Sequence, residues 1–165
     1  MNTNLVGSDR ILATAEAHKC YDLVCAKRQP DAETITRKKE ILGDAKKFIF
    51  DDTVQAFYVA AVVGQIVQAG KRPSIDEKAR EGLILLQHWE RQEKRDLRNA
   101  LEFLVTAEYK VTEPKEILQV VAELAEVGIR KIRDVITQYG EIDDYLSGIV
   151  ETLRKETAKE GLPLE

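Results

Sequence analysis

The chain has 165 residues, of which 44% are hydrophobic and 33% are charged, and its formal net charge is −4. This length fits one domain with its own core, and the composition is that of a folded protein rather than a disordered one. The net negative charge excludes a protein that coats nucleic acid unselectively, because that function needs a strongly basic surface. We therefore expect a single helical domain over residues 1–165.

Two cysteines, Cys20 and Cys25, are the only ones in the chain. A five-residue separation on a helix points two side chains about 140° apart, so a local disulfide is not expected. The first residues, MNTNLVGSDR, lack the basic and apolar regions of a signal peptide. The most apolar window, residues 54–69, is shorter than the ~20 residues of a membrane-spanning helix. These features predict a cytoplasmic protein with free thiols and no membrane partner.

Two helices are predicted before residue 44. Ser8 is a favourable N-cap for the first, and Pro30 ends it. Its apolar residues recur at three- and four-residue spacing, namely Ala13, Ala17, Cys20, Tyr21 and Val24. Asp31 caps a second, polar helix, AETITRKKEIL, which closes at Gly43.

The segment from Asp52 to Gly70 predicts the central helix of the domain. Asp52 and Gln55 have the spacing of a capping box, and the residues that follow are apolar in nearly every direction of the helix. A helix that is apolar all round must be enclosed by protein. Small residues, among them Gly64, would let a neighbouring backbone approach closely. Gly70 is the expected C-terminal cap.

Residues 71–90 support two interpretations. The capping-box spacing of Ser74 and Glu77 favours a helix. The apolar run LILLQHW, residues 83–89, is also short enough to be a strand, and its one plausible partner is KKFIF, residues 46–50. We expect a helix here, with a short β-pair between these two runs as the alternative.

Three more helices complete the prediction. The helix from Arg95 has an amphipathic face that consists of Leu97, Ala100, Leu101, Leu104 and Val105. Thr112-Glu113-Pro114 is a strong start signal for the next helix, which runs to Gly140. Its apolar side carries Ile117, Val120, Val121, Leu124, Ile132, Val135, Ile136 and Tyr139. A last helix carries Ile142, Tyr145, Leu146, Ile149, Val150 and Leu153. The fold class that follows is all-α, a compact bundle of about six helices.

No catalytic or cofactor motif stands out. His18, Cys20 and Cys25 match no zinc-site spacing, and neither His18 nor His88 has the glutamate three residues before it that a di-iron bundle requires. Nucleophile-elbow, phosphate-loop and dinucleotide motifs are absent from the sequence. We expect no enzyme activity, no metal and no cofactor.

Basic residues form the strongest candidate site. The candidate nucleic-acid-binding residues are Arg91, Lys94, Arg95, Arg98, Lys71 and Arg72. The first four fall within about 100° of one another on a helical wheel, which suits contacts to successive phosphates. The alternative is a solvated, salt-bridged face, because Glu90, Glu93 and Asp96 are interleaved with them. Trp89, which precedes them, is expected to serve the core rather than recognition.

The stretch FIFDDTVQAFYVAAVVGQIVQAGKRPS resembles a family of small proteins encoded beside DNA phosphorothioation (Dnd) systems. In that family an aromatic-rich segment leads into a helix with paired alanines and a glycine, followed by a Gly-basic-basic turn. Ala60-Ala61, Gly64 and Gly70-Lys71-Arg72 match this pattern. ELAEVGIRKIRDVI, residues 123–136, is similar to the family's acidic helix. The resemblance covers roughly residues 48–150 and implies an accessory protein of a prokaryotic anti-phage module that acts on modified DNA.

These observations lead to one expected function and two alternatives. We expect a non-enzymatic accessory or interaction subunit of a phage-defence assembly, with other subunits as partners and DNA or RNA contacted through the basic residues. The length and fold class also fit the small helical subunit of a CRISPR effector complex. A protein–protein adaptor or homo-oligomeric structural protein is favoured by the apolar residues after Gly140. The richness in Lys and Glu is typical of thermophilic sources.

Overall fold

The computed structural model describes residues 4–25, 28, 36, 50–92, 95–139, 151 and 155. The described part of the chain contains two strands and five helices. In chain order they are β1 (Arg10–Thr14), α1 (Ala15–Val24), α2 (Thr53–Gln68), β2 (Arg80–Leu85), α3 (Leu86–Trp89), α4 (Arg95–Tyr109) and α5 (Pro114–Tyr139). The predicted predominance of helix is confirmed, and a small antiparallel sheet accompanies the helices.

Two predicted helices fall on residues that the structure does not describe. The second helix, from Asp31 to Gly43, is one of them, apart from Thr36. The last helix, after Gly140, is the other, apart from Glu151 and Lys155.

Helix α2 begins at the cap that its sequence predicts, and its C-terminal cap is Ala69, one residue before the predicted Gly70. The Asp52 side chain accepts a hydrogen bond from the backbone N–H of Gln55 at 2.9 Å, and the Gln55 side chain accepts one from the backbone N–H of Asp51 at 3.1 Å. At the other end Ala69 adopts a left-handed conformation, with φ 49°, and Gly70 follows with φ 85°. Capping of both ends fixes the length of the helix before any tertiary packing is considered.

Helices α2 and α5 cross with their backbones almost in contact. A Cβ atom added to Gly64 would lie 1.9 Å from the Leu124 carbonyl oxygen, and one added to Gly128 would lie 1.7 Å from the Ala60 carbonyl oxygen. No other residue type fits at either glycine without the helices moving apart. This crossing is the centre of the core.

Helix α2 is less enclosed than predicted. Its buried side includes Phe57, Tyr58 and Val63. Ile66, however, is 40% exposed, and Val59 and Val62 are only partly buried. The all-round apolar pattern therefore overstates the burial of this helix, because α5 covers mainly one side of it.

The region after α2 contradicts the preferred prediction. Residues 71–79 form no helix, and residues 80–85 form β2 instead. The strand pairs antiparallel with β1. Of the predicted partner, residues 46–49 lie outside the described residues, and Phe50 forms an isolated bridge with Cys25. Pairing between strands about seventy residues apart is a tertiary contact that local spacing cannot reveal.

Residues 10–14 were expected to be the first turns of a helix, and this expectation is wrong. They form β1, and α1 begins only at Ala15. The cap is Thr14 rather than Ser8, because the Thr14 hydroxyl accepts a hydrogen bond from the backbone N–H of Ala17 at 3.2 Å. The alternation of buried Ile11 and Ala13 satisfies a strand as well as a helix end.

Helix α5 confirms the prediction from its start signal. It begins at Pro114 and runs to Tyr139. Of its predicted apolar residues, Ile117 is partly buried, and the buried ones are Val120, Val121, Leu124, Ile132, Val135 and Ile136. None of the helices in the described ranges combines the length and the apolarity that a membrane crossing requires.

Candidate interaction surfaces around α4

Only part of the predicted apolar face of α4 is buried. Leu101 and Val105 pack into the core at 1% exposure each. Leu97 and Leu104 are 40% and 43% exposed, and Phe103, which the predicted face did not include, is 73% exposed. Three large apolar side chains exposed on one helix form a patch of the kind that marks interaction sites. The α4 apolar face, by which we mean Leu97, Ala100, Phe103, Leu104 and Ala107, is therefore a candidate interaction surface.

A groove of about 640 Å³ lies beside α4, between the residues that precede β1 and the start of α5. Its charged lining residues have both signs, with Arg98 and Lys115 opposing Glu90 and Glu102. The Arg98 guanidinium lies 3.8 Å from the Glu102 carboxylate and donates a hydrogen bond of 3.4 Å to the Trp89 carbonyl oxygen. Because its cations face carboxylates, the groove is not built to select an anion.

Trp89 has the core role that its type predicts. It is 4% exposed, and its ring stacks on Tyr58 with centroids 5.0 Å apart and planes inclined by 13°. The Tyr58 hydroxyl donates a hydrogen bond of 3.1 Å to the Trp89 carbonyl oxygen. Burial raises the pKa of Tyr58 to about 12. Because both rings are buried, the aromatic pair is not available for stacking on a nucleobase.

Of the predicted basic residues, Arg72 is held by carboxylates of α5. Its guanidinium donates hydrogen bonds of 2.8 and 3.1 Å to Glu123 and one of 3.4 Å to Glu116. The hydrogen bond to Glu123 is the main cause that raises the pKa of Arg72. Arg72 thus pairs with two carboxylates of α5, whereas Arg98 lies beside Glu102 of its own helix.

Three other predicted basic residues are exposed. Arg95 is the first residue of α4, Arg91 lies four residues before it in the sequence, and Lys71 follows the end of α2. Lys94 lies outside the described residues. Nucleic-acid binding by the predicted set therefore stays a prediction, in which Arg91 and Arg95 are exposed.

A row of buried polar residues on α5 was not anticipated. The Glu126 carboxylate is 2% exposed, and it accepts hydrogen bonds from the backbone N–H of Thr14 at 2.8 Å and from the Thr14 hydroxyl at 2.9 Å. Arg130 lies 3.4 Å from Glu126 and donates a hydrogen bond of 2.7 Å to Glu77. These bonds attach the β1–α1 junction to the middle of α5. All of them are internal, so the row supports the fold rather than a reaction.

The same row continues one turn towards the start of α5. The Gln119 side chain accepts a hydrogen bond of 2.6 Å from the backbone N–H of Leu5 and donates one of 2.8 Å to Glu123. Glu123 is 3% exposed, and Arg72 neutralises it. The three- and four-residue spacing of Gln119, Glu123 and Glu126 was the signal in the sequence that these residues share one helix face.

Arg133 ends the row on the α1 side. It donates a hydrogen bond to Glu16, and this bond is the main cause that lowers the pKa of the Glu16 carboxyl. The charges of Arg130 and Arg133 thus lie in internal ion pairs, since Arg130 lies 3.9 Å from Glu16 as well. Neither arginine is presented to a phosphate backbone.

The histidine and cysteine residues near the start of the chain form no metal centre. Cys20 and Cys25 are buried, with 1% and 0% exposure, and burial raises the pKa of Cys20 to about 11. His18 instead lies 2.9 Å from the Arg28 guanidinium and 3.2 Å from the Glu81 carbonyl oxygen. In the ranges that the structure describes, no group of three or more His, Cys, Asp or Glu residues could hold a metal ion.

No family model, no curated protein and no solved structure matches this chain. The exposed surfaces of the molecule are therefore the basis for a functional proposal. Among these, the α4 apolar face is the feature that the fold itself leaves unexplained.

Proposed function

We propose that this protein is a non-enzymatic interaction subunit that uses the α4 apolar face to join a protein assembly. The exposure of Phe103 is the observation that carries the proposal. Large aromatic side chains that stand out of a helix and are flanked by leucines are typical anchors of protein interfaces. The buried polar row and the Tyr58–Trp89 pair, in contrast, already make internal contacts.

The geometry separates the contribution of α4 to the fold from its contribution to a surface. Leu101 and Val105 attach the helix to the core, and the Tyr109 hydroxyl adds a hydrogen bond of 3.0 Å to Gln65 of α2. Phe103 and Leu104 are not needed for that attachment. Their side chains therefore remain available to a partner without any rearrangement of the fold.

Replacement of Phe103 by serine tests the proposal. Since Phe103 is 73% exposed, we expect the free energy of unfolding of the dilute protein to change by less than about 0.5 kcal/mol. The same change is expected to release the protein from its assembly. Gel filtration of lysate from cells that express the protein, followed by immunoblotting, measures this release as a shift to the elution volume of an 18.7 kDa monomer.

Gln138→Ser is the matched control, because Gln138 is exposed on α5 and is not part of the α4 apolar face. It is expected to elute with the wild type, ahead of a monomer. A wild-type protein that elutes from lysate as a monomer would refute the proposal.

The assembly that we propose is a prokaryotic anti-phage system, and this part of the proposal rests on the resemblance to Dnd-associated proteins. The matching residues have clear tasks in this fold. Gly64 permits the helix crossing, Gly70 follows the left-handed end of α2, and Arg72 neutralises Glu123. Co-purification of the tagged protein with products of neighbouring defence genes would support the assignment, whereas partners from unrelated processes would contradict it.

Contact with DNA or RNA is a second candidate function, favoured by the exposure of Arg95 at the start of α4 and of Arg91, four residues before it. If they bind phosphates, the double change Arg91→Glu and Arg95→Glu should weaken binding and reduce the slope of log affinity against log salt by about one per lost contact. Fluorescence anisotropy with duplex DNA and single-stranded RNA measures this, with Arg10→Glu on β1 as the control. Wild-type protein without salt-sensitive binding to either probe would exclude this function.

A further inference from the structure

The pattern of residues on the α4 apolar face repeats with the spacing of a two-helix seam. Leu97, Ala100, Leu104 and Ala107 are separated by three, four and three residues, which is the alternation of a and d positions in a heptad. Both leucines occupy a positions, and both alanines occupy d positions. All four residues belong to α4. The two alanines are exposed, and the two leucines are at least 40% exposed.

A seam of alternating leucine and alanine is complementary to itself when the second helix runs antiparallel. In that arrangement the a positions of one helix face the d positions of the other, so that Leu97 would pack on Ala107 of a second copy, and Leu104 on Ala100. Each layer then combines a large side chain with a small one, which is the condition for close interdigitation. A parallel arrangement would instead set alanine against alanine and leave a gap.

Charges beside the seam agree with the same arrangement. Asp96 lies in the first turn of α4 at a g position, and Lys110 is the residue that follows the last turn, with φ 57°. In an antiparallel pair the start of one helix lies beside the end of the other, which places Asp96 near Lys110 of the second copy, and Phe103, also at a g position, beside its own equivalent. Asp96 and Lys110 are both exposed, and neither forms an ion pair within the described part of the chain. Both charges are therefore available to a second molecule.

We infer that a second copy of this chain covers the α4 apolar face, with the two α4 helices antiparallel across a two-fold axis beside Phe103. This inference rests on the proposed function and names its partner. Because the interface is isologous, each intermolecular contact occurs twice, including the Asp96–Lys110 pair. The same surface therefore supplies both halves of the interface.

A charge exchange tests the inference. Asp96→Lys sets two lysines against each other at two places in the dimer, and Lys110→Asp does the same with two carboxylates. We expect each single change to raise the dissociation constant about tenfold, because two exposed ion pairs become repulsive. The double change Asp96→Lys with Lys110→Asp restores both pairs and should return the dissociation constant to within about threefold of the wild type.

Sedimentation velocity of the purified protein over a range of concentrations measures these constants, with circular dichroism to confirm folding. The wild type is expected to approach twice the 18.7 kDa mass of one chain, and Asp51→Lys, an exposed change away from α4, should match it. A monomeric wild type at every concentration, or a double variant as weak as the singles, overturns the inference. If the purified protein is monomeric while its assembly in lysate still depends on Phe103, the proposed function stands and only the second copy is excluded.

Discussion

Replacement of Gly128 by alanine is expected to lower the free energy of unfolding by at least about 3 kcal/mol, although alanine is the better helix former by about 1 kcal/mol. The added Cβ would lie 1.7 Å from the Ala60 carbonyl oxygen, and a backbone atom cannot rotate away as a side chain can. Helices α2 and α5 must therefore separate by more than about 1 Å along much of the core. Urea unfolding followed by Trp89 fluorescence measures the loss.

Two comparisons show that the effect belongs to the crossing. In Gly82→Ala the new Cβ meets only the flexible end of the Arg10 side chain, so the expected change is below about 1 kcal/mol. Gly64→Ala should behave like Gly128→Ala, and the double variant should lose less than the sum, because one separation of the helices accommodates both methyl groups. Additive losses would mean that the two glycines do not share one contact.

Replacement of Glu126 by alanine is expected to cost about 3–5 kcal/mol of unfolding free energy. The change leaves the buried backbone N–H of Thr14 without its acceptor and removes one carboxylate from Arg130. It also loosens the junction where Thr14 caps α1. Thermal and urea unfolding with circular dichroism measure the effect, and α1 should lose order first.

Glu116→Ala is the matched control for this prediction. It makes the same substitution on the same helix and also removes a carboxylate from an arginine, Arg72. The Glu116 side chain, however, is 48% exposed, so the expected loss is below about 1 kcal/mol. Equal losses at the two positions would show that burial does not set the importance of these charges.

Local signals in the sequence predicted the helices with complete caps. Asp52 and Gly70 predicted the two ends of α2 to within one residue, and Pro114 predicted the start of α5. The β1–β2 pair was missed because each strand is short and its partner is remote in sequence. Residue propensities describe one segment at a time and cannot reveal pairing between distant strands. Ser8 has the residue type of a helix start, but the residues after it pair with β2 instead.

The candidate site was predictable only in part, because a helical wheel shows which residues share a face but not which face is covered. Leu97 and Leu104 were assigned to the apolar face of α4 together with Leu101, yet only Leu101 is buried. The buried polar row on α5 was not predicted for the same reason. Its burial depends on β1 and on Arg72, and neither could be placed beside α5 from local sequence.

Photo-crosslinking from position 103 tests most directly whether the α4 apolar face is a protein interface. With benzoylphenylalanine in place of Phe103, irradiation of intact cells should yield a discrete higher-mass adduct, and mass spectrometry should map it to α4 of a second copy. The same probe at Gln138 should yield none. Irradiated protein that remains a single uncrosslinked chain at both positions would contradict the account.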